Sequence, residues 1–256
     1  MHKRIISFSL FGESPLYHQG ALRNVQLASS VYPGWTPRVY CSHEIPTQLI
    51  GQLQDAGAEI VHRRRVSIVD GTFWRFLPLA DPKLDAVIIR DVDSRISARE
   101  YAAVDEWLAS GRSLHIMRDH PLHRVPILAG MWGGRGGCVP DMDQLIERWN
   151  LWQRKGQDQD FLRDIIYPRF EDDCVVHSNW FEYEGERAVP FPTDRVEGEF
   201  VGSMIQADRD TLTVEESQKN ATFFRKETLR RLPRVRPRPK MLLLAEQWFR
   251  KIRRAA

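Results

Sequence analysis

The first 92 residues alternate between short apolar segments and segments with helical spacing, and this alternation limits the fold more than any other feature. We predict strands at 4–10, 37–42, 58–63 and 85–92, with helices at 21–31 and 47–56. Strands that alternate with helices form mostly parallel sheets covered by helices on both faces. The sequence therefore predicts an α/β fold with a Rossmann-like, mixed but mostly parallel central sheet.

The fourth predicted strand ends in two aspartates spaced one residue apart, Asp91 and Asp93, in the segment DAVIIRDVDSR. Residues i and i+2 of a strand point to the same side, and ligands of such sheets bind beyond the carboxyl ends of the strands. Paired carboxylates are typical ligands of Mg²⁺ or Mn²⁺ beside substrate phosphates. The D-x-D pattern also begins at Asp141, Asp158 and Asp208, but only this copy follows a buried strand. We therefore predict Asp91 and Asp93 as metal ligands.

The chain beyond these aspartates continues with fewer clear signals. We predict a helix from the capping box at Ser97, a strand at 113–118, two more helices and a last strand at 174–178. Asp119 and His120 follow the strand at 113–118, and this position predicts contact with a donor or an acceptor. The glycine-rich segment 130–137 is interpreted as a mobile lid or a loop, and Trp132 within it either stacks on a sugar or packs in the core.

Composition describes an ordinary soluble globular protein, with 42% apolar and 28% charged residues. No apolar run reaches the length of a membrane-spanning helix, and the first residues lack the pattern of a signal peptide. The three cysteines, Cys41, Cys138 and Cys174, are far apart and indicate free thiols in a reducing compartment. These features predict a cytoplasmic protein.

Charge divides the chain into an acidic body and a basic tail. Residues 225–256 contain twelve Lys and Arg against two acids, and apolar residues in 241–252 recur at helical spacing. We predict a body at 1–224 and, at 225–256, a Pro/Arg linker with a basic amphipathic helix. The basic residues of 240–254 favour an anionic surface at the inner face of the cell membrane over packing on the body. The acidic body argues against nucleic acid as a partner.

The order of motifs resembles nucleotide-sugar glycosyltransferases of the GT-A fold. It is most similar to the type that includes glycogenin and the bacterial lipopolysaccharide galactosyltransferases. The resemblance covers roughly residues 4–180 and is carried by Arg75 with Leu77-Pro78, Asp91 and Asp93, Leu128-Ala129-Gly130-Met131, Asp158-Gln159-Asp160, and His177. The wording RDVDSR…HIMRDHP…ILAGMWG also resembles a group of bacterial polysaccharide-associated proteins.

The resemblance implies an enzyme of the hexosyltransferase type that uses Mn²⁺ or Mg²⁺. It would move a sugar from a nucleotide-diphosphate sugar to a saccharide or lipid-linked acceptor, in surface polysaccharide or lipopolysaccharide synthesis. The residues expected to hold the metal are Asp91, Asp93 and His177. Those expected to act in catalysis are Asp158, Gln159 and Asp119. Those expected to bind the nucleotide sugar are Phe11, Gly12, Arg75, Asp91, His120 and Gly130.

Two departures from that pattern leave alternatives open. Arg90 stands before the first aspartate, where the family has an apolar residue or Asp. The Lys-Pro-Trp that follows the family's histidine is replaced by residues 178–180, so another base is expected to hold the donor phosphate. One alternative is a haloacid dehalogenase-type phosphatase, although such enzymes carry the motif on their first strand. The other is an inactive, membrane-bound scaffold with the same fold.

Overall fold

The structure, a computed structural model, describes residues 3–67, 69–149, 155–183, 185–206 and 209–228. In this part of the chain one sheet of eight strands forms the centre, in the order β3-β2-β1-β4-β6-β5-β7-β8. Its strands are β1 (Lys3–Leu10), β2 (Trp35–Ser42), β3 (Glu59–Arg63), β4 (Leu84–Arg90), β5 (Leu114–Arg118), β6 (Met131–Arg135), β7 (Cys174–Ser178) and β8 (Ala188–Val189). All neighbouring pairs are parallel except those that include β6. The predicted mixed, mostly parallel sheet is confirmed.

Helices cover both faces of the sheet. They are α1 (Pro15–Val31), α2 (Thr47–Asp55), α3 (Ala98–Ser110), α4 (Met142–Trp149), α5 (Gln157–Phe161), α6 (Tyr167–Phe170) and α7 (Val214–Thr228). Two 3₁₀ segments, Asp70–Thr72 and Trp74–Ala80, precede β4, and a π-helical stretch, Leu162–Ile166, joins α5 to α6. Helix α1 begins at Pro15, six residues before the predicted start, because proline is well suited to a first helical turn. Helix α3 begins at the predicted cap, where the Ser97 side chain accepts a hydrogen bond from the backbone N–H of Glu100.

Alternation along β4 sends its side chains to two separate cores. Val87 and Ile89 belong to the core that contains the 3₁₀ segments, α4 and α5, whereas Ala86 and Ile88 belong to the core beneath α1, α2 and α3. Arg90 continues the second set. It is fully buried, and its Nε lies 3.0 Å from Glu100 Oε1.

The unusual arginine before the first aspartate is thus part of a buried network. Tyr32 donates a 3.0 Å hydrogen bond to the same Glu100 oxygen and lies 3.5 Å from Arg90 Nη2. Burial raises the pKa of Glu100, while Arg90 opposes that shift. Arg90 therefore points to the face of the sheet that α1, α2 and α3 cover. The alternation along the strand sends Asp91 toward the opposite face.

The glycine-rich segment interpreted as a loop or lid contains the strand β6, and that interpretation is wrong for 131–135. This strand lies between β4 and β5 and is antiparallel to both. A side chain at Gly133 would place its Cβ 2.6 Å from the carbonyl oxygen of Val87. Glycine here permits close approach of neighbouring strands. Trp132 is fully buried with its ring 5.3 Å from that of Phe76, so it is a core residue and not a sugar platform.

The C-terminal part of the described chain packs against the segments that follow β5 and β7. Helix α7 runs from Val214 to Thr228, across the predicted boundary at 224/225. The predicted amphipathic helix at 241–252 and the basic residues of 240–254 lie outside the described residues. No helix in the described ranges combines the length and apolar character needed to cross a membrane.

Candidate functional site

A cleft of about 460 Å³ opens at the carboxyl ends of β1 and β4. The 3₁₀ segments before β4 and the start of α5 complete its walls. Its lining residues are Ser9, Phe11, Tyr17, Val69, Thr72, Arg75, Asp91, Val92, Asp93, Lys155, Gly156 and Asp158. The cleft therefore gathers five of the residues that the sequence predicted for the site: Phe11, Arg75, Asp91, Asp93 and Asp158.

The guanidinium of Arg75 bridges two carboxylates in this cleft. Its Nη1 lies 2.5 Å from Asp91 Oδ1, and its Nη2 lies 3.2 Å from Asp158 Oδ2. The side chains of Arg75 and Asp158 are 8% and 12% exposed, but that of Asp91 is 43% exposed. Arg75 is positioned by its own backbone N–H, which donates a 3.0 Å hydrogen bond to Ser9 Oγ on β1. Asp91 is thus fixed on one side and open to the cleft on the other.

The carboxylates of the cleft stand close enough to perturb one another. Burial raises the pKa of Asp93, and the neighbouring charge of Asp91 raises it further. Burial also raises the pKa of Asp158, with Arg75 opposing the shift and Asp91 adding to it. A divalent cation would relieve this crowding of like charges.

The donor set of the cleft suits a hard cation. Mg²⁺ and Mn²⁺ prefer oxygen ligands, and Mg²⁺ in particular is commonly held by one or two carboxylates with waters and substrate phosphates. Asp91 and Asp93 offer two such carboxylates. Within the described ranges, no group of three or more His, Cys, Asp or Glu side chains is arranged to hold a metal ion.

Gly130 lies directly against the Asp91 carboxylate. A Cβ at this position would fall 2.0 Å from Asp91 Oδ2, so only glycine leaves room for the carboxylate. The turn that precedes Gly130 is fastened to α5, because the side-chain oxygen of Gln159 accepts a hydrogen bond from the backbone N–H of Ala129. Gln159 therefore positions this turn, and its side-chain oxygen is already engaged.

Phe11 and Gly12 follow β1 at the same end of the sheet. Phe11 lines the cleft, and its ring packs edge-on against that of Trp74 at a centroid distance of 6.0 Å. Gly12 has φ +77°, a conformation that favours glycine, and its N–H donates a 3.1 Å hydrogen bond to Glu44. Gly12 is not among the lining residues, so it shapes the chain at the rim of the cleft.

Asp119 and His120 lie in the interior, away from this cleft. The Asp119 side chain is fully buried and accepts hydrogen bonds from Arg99, Arg195 and the backbone N–H of Val201. Such an environment is that of a structural anchor for the segment that follows β8. In this arrangement the Asp119 carboxylate is engaged by protein donors, and it is not among the residues that line the cleft.

His120 packs within a cluster of aromatic rings. Its ring is stacked on that of Phe223 in α7 at 5.2 Å and tilted against that of Phe200 at 4.6 Å. Burial lowers the pKa of His120 to about 4, and the charge of Arg195 adds to this effect. His120 therefore joins α7 to the loop after β5, and it is not among the residues that line the cleft.

His177 is not brought to the two aspartates. It is fully buried on β7, with Nδ1 2.8 Å from His115 Nε2 and Nε2 3.2 Å from Glu106 Oε2. Both ring nitrogens are therefore engaged. Its neighbour along the same face, Val175, packs with the core beneath α3, whereas the cleft borders the opposite core. In this arrangement His177 does not complete a triad with Asp91 and Asp93.

Sequence reasoning missed several residues that build the site. Asn24 of α1 holds the loop after β4: its Nδ2 donates to the carbonyl oxygens of Val92 and Ser94 at 3.2 and 2.8 Å, and its Oδ1 accepts from the N–H of Ile96 at 3.1 Å. A polar residue within a helix carries no signal of this role. Ser9 could have been found, since it shares a strand face with Phe11 at the end of β1.

No protein-family model and no curated protein matches the sequence. Many solved structures match it at low identity. 4-Diphosphocytidyl-2C-methyl-D-erythritol synthase from Anaerococcus prevotii is 10% identical, with 87% of this chain and 95% of that chain covered and a TM-score of 0.45. Glucosyl-3-phosphoglycerate synthase from Mycobacterium tuberculosis is 13% identical, with 68% and 69% covered and a TM-score of 0.45. Mouse xyloside xylosyltransferase 1 is 13% identical, with 71% and 86% covered and a TM-score of 0.41.

Proposed function

We propose that the protein is a metal-dependent glycosyltransferase that moves a hexose from a nucleotide-diphosphate sugar to a saccharide or lipid-linked acceptor. The observation that carries the proposal is the bridge from Arg75 to Asp91 and Asp158 in a cleft at the carboxyl ends of β1 and β4. Ligands of mostly parallel sheets bind at such ends. A carboxylate pair at this position suits the divalent cation that accompanies a diphosphate.

The residues of the cleft divide the work of binding and transfer. Asp91 and Asp93 would hold Mn²⁺ or Mg²⁺, and this cation supplies neutralising charge for the departing diphosphate. Phe11 and Tyr17 offer aromatic surface for the base. Arg75 orients the Asp91 and Asp158 carboxylates, and Gly130 leaves the space that the Asp91 carboxylate occupies.

Asp158 is the best candidate for contact with the transferred sugar. Its side chain lines the cleft while Arg75 fixes one of its oxygens, and its Oδ1 accepts a 3.0 Å hydrogen bond from the backbone N–H of Gln159. A carboxylate held in this way can accept hydrogen bonds from sugar hydroxyls. We assign Gln159 to positioning, because its side chain fastens the turn before Gly130.

The wider setting of the reaction belongs to the same proposal. We place it in surface polysaccharide or lipopolysaccharide synthesis in the cytoplasm, with the basic residues of 240–254 as the contact to an anionic membrane surface. A vesicle-binding assay with the full chain, comparing anionic with neutral vesicles, tests this contact. Equal binding to both vesicle types would contradict it.

The proposed function predicts metal-dependent stabilisation by a nucleoside diphosphate. Thermal unfolding is followed with UDP, GDP, CDP, ADP or dTDP, each in Mn²⁺, Mg²⁺ or EDTA. A ligand at a hundred times its Kd stabilises the folded state by about 2.7 kcal/mol. We expect one or more diphosphates to raise the Tm in metal and not in EDTA.

Two substitutions make this experiment specific. Asp91→Asn should abolish the metal-dependent part of the stabilisation, whereas Asp105→Asn, on the exposed side of α3, should leave it unchanged. A nucleotide-sugar hydrolysis assay then identifies the donor. Absence of any nucleotide response together with hydrolysis of phosphomonoesters would replace the transferase with the phosphatase alternative. Absence of both activities would favour the inactive scaffold.

A further inference from the structure

Part of the positive charge that lines the cleft is already engaged by carboxylates and is not available to a bound diphosphate. Among the described residues, three carboxylates line the cleft, Asp91, Asp93 and Asp158, against two cations, Arg75 and Lys155. Both terminal nitrogens of Arg75 are committed to Asp91 and Asp158. The charge of Arg75 is thus spent on holding the carboxylates, and a bound phosphate would have to compete for it.

Among the cations in the described part of the cleft, Lys155 is the one whose charge is available. It is exposed, and within the described ranges its ammonium makes no ion pair or hydrogen bond. The chain turns directly after it, because Gly156 has φ +84°, a conformation that L side chains rarely adopt. Beyond the turn, Gln157 is buried and its carbonyl oxygen accepts a 3.2 Å hydrogen bond from Trp149 Nε1. A free ammonium is therefore carried on an anchored turn at the wall of the cleft.

The electrostatic balance of the loaded cleft requires such a group. A divalent cation brings two positive charges, which with Arg75 match the three carboxylates. The two negative charges of a nucleotide-diphosphate sugar then remain, and a third develops as the sugar departs. Uncompensated charge in a half-buried site is costly. Lysine supplies a compact point charge that suits a phosphate oxygen.

We infer that Lys155 binds the distal phosphate of the donor and stabilises the diphosphate as it leaves. This inference rests on the proposed function and extends it to a residue outside the motifs of the sequence. The transfer breaks the bond between the anomeric carbon and the distal phosphate oxygen, which keeps the electron pair. The acceptor oxygen forms the new bond to the anomeric carbon, and its proton passes to an oxygen of the departing diphosphate or to water, while the Lys155 ammonium keeps its own protons throughout.

The test separates binding of the distal phosphate from binding of the rest of the nucleotide. Isothermal titration in Mn²⁺ compares UDP, UMP and uridine, and in parallel GDP, GMP and guanosine, on the full chain. The variants are Lys155→Met, which removes the charge but keeps an unbranched side chain one atom shorter, and Lys155→Arg, which keeps the charge. Lys83→Met is the matched control, since Lys83 is an exposed lysine just before β4, at the opposite end of that strand.

We expect Lys155→Met to weaken diphosphate binding about tenfold or more, the loss of one charge-assisted hydrogen bond. Monophosphate and nucleoside binding should stay within about twofold, and Lys155→Arg should recover most of the loss. Because Lys155 is exposed, thermal unfolding of the unliganded variants should match that of the wild type.

Three results would overturn the inference. If Lys155→Met binds the diphosphate as tightly as Lys83→Met does, Lys155 has no role in phosphate binding, and the proposed function is unaffected. Equal losses for diphosphate, monophosphate and nucleoside would assign Lys155 to the shape of the cleft instead of the phosphate. Wild-type protein that binds neither diphosphate would overturn the proposed function and the role of Lys155 together.

Discussion

The substitution Asp119→Asn distinguishes a structural role of this residue from a catalytic one. Its fully buried carboxylate accepts hydrogen bonds from Arg99 Nε at 2.9 Å, Arg99 Nη2 at 3.0 Å and the Val201 N–H at 3.0 Å, as well as from Arg195. Asp119→Asn keeps the shape but turns one oxygen into a donor that faces other donors. Each hydrogen bond to a charged group contributes about 1.5–3 kcal/mol, and breaking a buried ion pair costs about 3–5 kcal/mol.

We take the lower end of that range for Asp119→Asn, because the Arg99 and Arg195 side chains are 11% and 15% exposed and can recover some contact with water. The expected loss is about 3 kcal/mol in the free energy of unfolding, or roughly 6–12 °C in Tm for a protein of this size. Urea unfolding followed by tryptophan fluorescence measures it. Trypsin provides a second measurement, since release of the segment around Arg195 should speed cleavage there.

Glu197→Gln is the matched control for Asp119→Asn. Glu197 pairs with Arg225 at the surface, where the two side chains are 71% and 76% exposed, so its loss should change stability by less than about 1 kcal/mol. Stability and trypsin resistance equal to those of the wild type, combined with loss of transferase activity, would refute the structural role. Asp119 would then be the catalytic residue that the sequence first indicated.

Three further changes test other parts of the structure. Gly130→Ala should displace the Asp91 carboxylate and weaken metal-dependent diphosphate binding about tenfold or more by titration, with unchanged nucleoside binding as its control. Glu100→Gln should leave buried Arg90 without its counter-charge and cost about 3 kcal/mol or more in urea unfolding, and a loss below about 1 kcal/mol would contradict the network. The pKa of His120 is lowered to about 4 from an unfolded value near 6.5, so the unfolded state binds more protons between these values. Stability should therefore fall as the pH drops from about 6.5 to 4, and the urea midpoint of His120→Asn should fall less steeply over this window.

The fold was largely predictable because its first half repeats a simple alternation of apolar strands and helices. The strand β6 was not, because two of its five residues, Gly133 and Gly134, lack side chains that favour strands. Glycine is needed at these two positions only because of the assembled sheet. The backbone of β4 and the side chains of Leu79 and Cys138 leave no room for a Cβ. The strand propensity of a residue does not depend on which distant segments pack against it, so it could not predict this strand.

The candidate site was predictable only where residues lie at strand ends near the sheet centre. Asp91 follows β4, Arg75 lies in the 3₁₀ segment before β4, and Asp158 lies at the start of α5. These three segments meet in the cleft, where Arg75 contacts both carboxylates. Asp119 also follows a strand, but the segment after β8 covers it, and nothing in the sequence located that segment. His177 depends on which face of β7 it occupies, and that face is set by packing against α3. Strand position alone therefore identifies candidates without deciding which of them stay open to ligand.

The placement of β6 has a consequence for how the protein is made. The ribosome releases β5 before β6, although β6 lies between β4 and β5 in the sheet. The edges of β4 and β5 that β6 covers therefore stay unpaired until residue 135 has emerged. Exposed edges of this kind invite pairing with other chains. The same insertion carries Gly130 against Asp91. Insertion of β6 therefore closes these two edges and brings Gly130 against Asp91 in a single step, before α5 adds Asp158 to the cleft and β7 covers the other edge of β5.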